Sequence, residues 1–306
     1  MDCEKRSMTY IKEFLNNHYD YTYLKGMLRA AREYKGNNAT LVTGSSHSLC
    51  GFDSNILKKT FNCSMHSQDI YYDFKCGKNV LDGNSQKFSK CYIVMGYYIP
   101  CQDLSRASKV GREMITKVYY PIFEDAHHLT DFEKINMYEG IGISEDYALK
   151  IEQMAIESIL KEGSYYGSYK SRKPYLKFEE GLRWHELSEE IKVQVGEKRA
   201  SDHNRIKYRG SFLENIEIFK DYIHYLALKD VKPIVVVTPY TKYYNAHVDK
   251  ELKEMFLEVI NAPNERIDFV DLNEWDCFED YDFVDTDHLN ENGAKKVSSI
   301  LMKIFK

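Results

Sequence analysis

Proline is scarce in this chain, at 6 of 306 residues, which points to helix-rich rather than proline-rich connections. There is no basic excess either. Lys and Arg number 42 against 47 Asp and Glu, a net charge of −5, so a surface built to neutralise a phosphate backbone is not expected. The longest stretch free of both charged residues and histidine, Cys91 to Gln102, spans 12 residues and contains Gly96 and Pro100. A membrane-spanning helix needs about 20 apolar residues, so no membrane span is expected. The first residues carry Asp2, Glu4, Lys5, Arg6, Lys12 and Glu13, which leaves no apolar core for a secretory signal. The seven cysteines (Cys3, Cys50, Cys63, Cys76, Cys91, Cys101 and Cys277) are odd in number, scattered, and form no CxxC pair. Reduced thiols and a cytoplasmic location are the expectation, and a cysteine zinc cluster has no support.

What is present is ordinary globular material. Hydrophobic residues make up 43% and charged residues 29%, enough to bury a core and too much to leave the chain disordered. Tyrosine is abundant, at 25 residues, so many half-buried surfaces should carry a ring with a polar tip. Five short runs read as strands: Ala39–Thr43 ending at Gly44, a weaker Thr60–Met65, Cys91–Met95 ending at Gly96, Pro233–Thr238 ending at Pro239, and Arg266–Asp271. The first, third and fourth are continuous apolar runs, as in strands covered on both faces.

Amphipathic stripes fall between and after them. Phe212, Ile216, Phe219, Ile223, Leu226 and Ala227 make one, Val248, Leu252, Met255, Phe256 and Val259 a second, and Ala294, Val297, Leu301 and Ile304 a third. Alternating strands and helices imply an α/β fold with a parallel sheet and right-handed crossovers. The expectation is a three-layer α/β/α flavodoxin-like sandwich with strand order 2-1-3-4-5, forming a single domain over 1–306. About 135 residues separate the third and fourth runs, far more than a crossover helix needs. Helices are expected there at about 104–121, at 144–162 with Ser144 as cap and Gly163 as stop, and at 212–229. The 163–210 segment is rich in Tyr, Lys and Arg (Tyr165, Tyr166, Tyr169, Tyr175, Trp184). Residues 97–210 thus read as a helical, Tyr-rich insertion over the carboxyl edge of the sheet. It would serve either as a substrate-facing lid or as surface elaboration or an oligomer contact.

Ligands of such sheets bind beyond the carboxyl ends of the strands, near the point where strand order reverses. After the first strand comes Gly44-Ser45-Ser46-His47-Ser48, a corner suited to a nucleophile at a helix start but equally to an ordinary turn. After the third comes Gly96-Tyr97-Tyr98, where Gly96 could offer a backbone donor to an oxyanion or simply bend the strand end. After the fifth comes Asp285-Thr-Asp287-His288-Leu-Asn290. At that spacing a turn brings the Asp285 carboxylate to Nδ1 of His288, leaving Nε2 free to take a proton, with Asn290 capping the final helix. Asp280, Asp282 and Asp287 read as solvated. No second histidine is spaced to hold a metal with this acidic loop, and the neighbours His127-His128 read as structural, so neither metal nor cofactor is expected.

Together these pieces resemble the SGNH (GDSL-type) hydrolase superfamily. Gly44-Ser45-Ser46 stands at its Gly-Asp-Ser block, and Asp285-Thr-Asp-His288 matches its Asp-x-x-His block. The string Asp285–Ser298 looks like the branch containing D-alanyl-lipoteichoic acid esterases and polysaccharide O-acetylation proteins. The superfamily's block-three Asn has no counterpart in Gly96-Tyr-Tyr-Ile-Pro100. The resemblance implies Ser46 as nucleophile, His288 as base and Asp285 as its orienting acid, with the Ser46 and Gly96 amides as oxyanion hole. Tyr97, Tyr98 and Tyr240 are candidates for an aromatic wall against a sugar or acyl group, and His47 is expected to line the pocket or hold the turn. The implied activity is ester hydrolysis or O-acyl transfer on a small or carbohydrate ester. A catalytically silent module that binds carbohydrate or protein is the alternative.

Overall fold

All five apolar runs become strands of a single parallel sheet. The computed structural model describes residues 2–107, 109–135, 137, 144–161 and 183–305. Strands β1 (Ala39–Gly44), β2 (Thr60–Asn62), β3 (Phe88–Val94), β4 (Lys232–Val237) and β5 (Asp268–Asp271) lie in the order β2-β1-β3-β4-β5. Every neighbouring pair is parallel, so every connection is a crossover. The strand order reverses between β1 and β3, as expected for a flavodoxin-like sandwich. Gly44 pairs with Val94 in that register, which leaves the two carboxyl ends side by side.

Side chains alternate between two cores because the strand period is two. Leu41, Cys91, Ile93, Val235 and Val237 face one layer, with Leu24 and Met27 of α1 (Asp2–Arg32), Cys76 and Val80 of α3 (Ile70–Asn84), and Phe219 and Ile223 of the Arg209–Leu228 helix. Val42, Tyr92, Val94, Ile234, Val236 and Val270 face the other, against Val297 and Leu301 of the final helix, Glu291–Ile304. Helix α2 (Ser46–Gly51) sits at the carboxyl end of β1. Its following turn is tied to the final helix by the Asp53 amide, which donates to Ser298 Oγ at 2.8 Å.

Among the described residues between β3 and β4 helices predominate, but the start is not one helix. The stretch expected at 104–121 is broken into a 3₁₀ turn at Leu104–Arg106, a short helix at Lys109–Met114, a π turn at Ile115–Tyr119 and a last turn at Tyr120–Phe123. The second expected helix runs from Glu145 to Lys161, and the Ser144 carbonyl accepts its first amide bonds. It packs on α1 through Ile151 and Ala155 against Ile11 and Phe14, so part of the insertion covers a helix. A further helix, Glu189–Asn204, carries no apolar periodicity that would announce it in the sequence. Gly163 and the Tyr165, Tyr166, Tyr169 and Tyr175 cluster lie outside the described residues. Among the described residues, no helix is long and apolar enough to cross a membrane.

Candidate active site

Strand β1 ends at Gly44 with φ +146°, and a Cβ there would lie 2.4 Å from the Val94 carbonyl oxygen, so the corner requires glycine. Ser45 follows as the extended N-cap, and α2 begins at Ser46. The amides of Ser48 and Leu49 both bond the Ser45 carbonyl at 3.1 Å. Those of Ser46 and His47 belong to the first turn and have no intrahelical acceptor. The corner therefore presents a hydroxyl and its own N–H at the switch point of the sheet.

The loop before the final helix supplies the partners. Asp285 Oδ1 accepts the backbone N–H groups of Asp287 (3.0 Å) and His288 (2.8 Å), folding the loop back on itself. This places His288 Nδ1 2.9 Å from Asp285 Oδ2. Nε2 of the same ring lies 2.8 Å from Ser46 Oγ. With Nδ1–H donating to the carboxylate, Nε2 is the acceptor for the Ser46 hydroxyl. Asn290 caps the final helix through the Asn292 and Gly293 amides and donates its own amide to the Tyr281 and Phe283 carbonyls, which fixes the loop behind His288. Burial alone would push the His288 pKa down, but the carboxylates of Asp285 and Asp287 outweigh it and hold the pKa above its ordinary value.

A second chain of the same residue types lies behind the first. Ser45 Oγ is 3.2 Å from His47 Nδ1, and His47 Nε2 is 3.2 Å from Asp287 Oδ2. Arg199 Nε donates to both oxygens of Asp287, at 3.1 and 3.0 Å. The His47 and His288 rings stack with centroids 4.9 Å apart. Ser45 is 1% exposed and His47 2%, so no substrate reaches this second serine. Burial lowers the His47 pKa, which keeps a neutral ring against the His288 face. Asp287 was expected to be solvated and is instead 2% exposed. Burial raises its pKa, but His288, Arg199 and His47 together drive it well below the carboxylate range. Asp282 is also buried rather than solvated, accepting from Lys296 at 2.6 Å and from the Glu279 amide at 2.9 Å. Asp280 is partly covered and accepts from Lys192 at 2.7 Å.

No family model matches this chain, and no curated protein matches it. The site's chemistry therefore rests on its own residues.

A cavity of about 470 Å³ opens at Ser46. Its walls come from the start of the chain between β3 and β4 (Tyr98, Gln102, Arg106) and from the Glu189–Asn204 helix and the turn after it (Arg199, His203, Arg205). Tyr98, one of the expected aromatic contacts, lines this cavity and stacks on His203 with centroids 3.7 Å apart. The other expected contacts sit elsewhere. Tyr97 is buried with its hydroxyl on Asp271 at 2.7 Å, and Tyr240 is buried against His47 and the Gly96 backbone. His47 stands behind His288 rather than in the pocket wall, holding the turn. Gly96 lies two residues past Val94 as Ser46 lies two past Gly44, so the β1–β3 register carries both to the same rim. A Cβ on Gly96 would meet the Tyr240 hydroxyl at 2.6 Å. Arg199, which grips Asp287 and lines the cavity, has no motif to mark it in the sequence. Its helix buries Lys192, Gly196, Ala200 and His203, a stripe with no apolar signature.

Proposed function

We propose that this chain is an SGNH-type serine hydrolase or O-acyltransferase that acts on a small or sugar-linked ester. The observation that carries the reading is the hydrogen-bonded relay from Ser46 Oγ through His288 to Asp285, at the mouth of a cavity. Ser46 Oγ attacks the ester carbonyl while its proton passes to His288 Nε2. The carbon–oxygen bond to the leaving alcohol breaks, and that alcohol takes the same proton. Water, or a sugar hydroxyl, then attacks the acyl-serine with His288 again as base, and Ser46 is regenerated. Asp285 orients the ring and stabilises its charged form. The first-turn amide of Ser46, with that of Gly96, is suited to hold the carbonyl oxygen as it gains charge.

The cavity favours a polar substrate. Arg106, Arg199, Arg205 and Gln102 supply donors, and Tyr98 and Tyr208 supply ring surface for a sugar. In a cytoplasmic setting with reduced thiols, the substrates to test first are acylated sugars and nucleotide-sugar precursors.

Incubation with a fluorophosphonate probe should label the chain, with the adduct mapping by mass spectrometry to Ser46. Absence of labelling at neutral pH would favour a silent binding module, the role that loss of the block-three Asn would suit. Because the base must be neutral and its pKa is raised, kcat/KM for an aryl acetate should rise with pH through an inflection above 6.5 and fall away on the acid side. An inflection below 6.5 would speak against His288 as base.

A further inference from the structure

The adjacent histidines His127 and His128 meet a carboxylate that sequence spacing does not reveal. Asp103, about two dozen residues upstream, lies with Oδ2 3.1 Å from His128 Nδ1 and Oδ1 3.7 Å from His127 Nδ1. One ligand atom from each of the three residues falls within 4.8 Å of the others. Behind them, Glu214 Oε1 lies 3.4 Å from His127 Nε2 and 3.2 Å from His128 Nε2. Glu214 accepting from His127 Nε2–H leaves that ring's Nδ1 as a lone pair turned toward Asp103, whereas His128 Nδ1–H donates to Asp103 Oδ2, a proton an incoming ion would displace.

His127 carries the decisive detail. Its side chain is only 8% exposed, and its buried Nδ1 has no hydrogen-bond partner. Leaving such an atom unpaired is costly, so a ligand at that nitrogen is the economical explanation. The ring is held firmly: it stacks on Tyr71 with centroids 3.8 Å apart, and the His127 amide donates to Asp125 Oδ1 at 2.9 Å. Asp103 is held too, by the Ser105 amide at 2.8 Å and hydroxyl at 2.5 Å and by Arg106 Nε at 3.2 Å.

We propose that Asp103, His127 and His128 bind a divalent transition metal, zinc in the first instance, with Glu214 as the carboxylate that orients both imidazoles. A tetrahedral zinc site with bonds of about 2.0–2.2 Å has ligand–ligand edges of about 3.4 Å, which the two spacings bracket. Two imidazoles and one carboxylate form the borderline donor set that zinc accepts while keeping a position open. Asp103 also lines the cavity at Ser46, so the ion would sit in the wall of that cavity. The site does not depend on the serine chemistry. The bond to Asp103 satisfies His128 Nδ1 without metal, yet it leaves His127 Nδ1 bare.

The test uses the full chain, stripped with chelator and titrated with cobalt(II), followed by visible absorption and then displaced with zinc. Saturation at one molar equivalent, with the absorption of a low-coordinate cobalt site bleached by zinc, is expected. His128→Gln and Asp103→Asn should each weaken binding at least tenfold, and Glu214→Gln by about 10–100-fold. His47, Asp287 and His288 form the other group of metal-capable side chains among the described residues, so His288→Ala must retain the full equivalent. No stoichiometric binding by the wild type would overturn the proposal, as would binding that survives the paired His127→Gln and His128→Gln change. His128 is 39% exposed, so its variant should keep the wild-type circular dichroism and remain decisive even if His127 variants misfold.

Discussion

Ser46→Ala should abolish fluorophosphonate labelling and cut ester turnover by about 10⁵–10⁶-fold, with what remains coming from the oxyanion donors and substrate binding. The loss should be purely chemical. Ser46 lies at the cavity mouth and its hydroxyl bonds His288, so removing one oxygen there leaves both cores untouched and the urea midpoint in place. The neighbouring Ser45→Ala makes the matching control. Ser45 has a histidine and an aspartate in line behind it just as Ser46 does, but it is sealed inside the molecule. Labelling should survive Ser45→Ala. If Ser46→Ala kept turnover, or Ser45→Ala lost labelling with the fold intact, the nucleophile would have been assigned to the wrong hydroxyl.

Asp285 and Asp287, two residues apart, should fail in opposite ways. Asp285→Asn retains an oxygen for the two loop amides but no longer fixes the His288 tautomer, so turnover should fall on the order of 10⁴-fold with little change in stability. Asp287→Ala strips Arg199 and His47 of their shared partner. Breaking a buried ion pair from one side costs about 3–5 kcal/mol, and because Arg199 is about a third exposed the low end, near 3 kcal/mol, is expected. Urea unfolding reads the second effect and an aryl acetate assay the first. Equal destabilisation by the two variants would mean that Asp285 is as much a structural residue as Asp287.

Local pattern reveals the sheet and the Ser46–His288–Asp285 grouping, and misses what depends on distant partners. The β1, β3 and β4 runs are apolar on both faces because both faces are covered, and their order follows from the alternation with helices. Ser46, Asp285 and His288 are visible because each sits within a few residues of a strand end or a helix start. Asp287 and Asp282 look solvated in an acidic loop because the cations that bury them, Arg199 and Lys296, arrive from other elements. The Glu189–Asn204 helix escapes a hydrophobicity search because it buries a lysine, a glycine, an alanine and a histidine. Gly196 packs so tightly on Tyr243 that a Cβ would come within 2.6 Å of its backbone, a contact that small size rather than apolar character makes possible. Asp103 and His127-His128 likewise meet only once the chain between β3 and β4 has folded back.

Ser46 and His288 are separated by 242 positions along the chain, and the turn after α2 is fastened to the last helix. On the proposed reading, competence therefore waits for these two distant segments to meet. A ribosome-bound chain still lacking the 285–288 loop would hold a bare hydroxyl with nothing to deprotonate it, so the proposed acyl chemistry would begin only once that loop is made and docked.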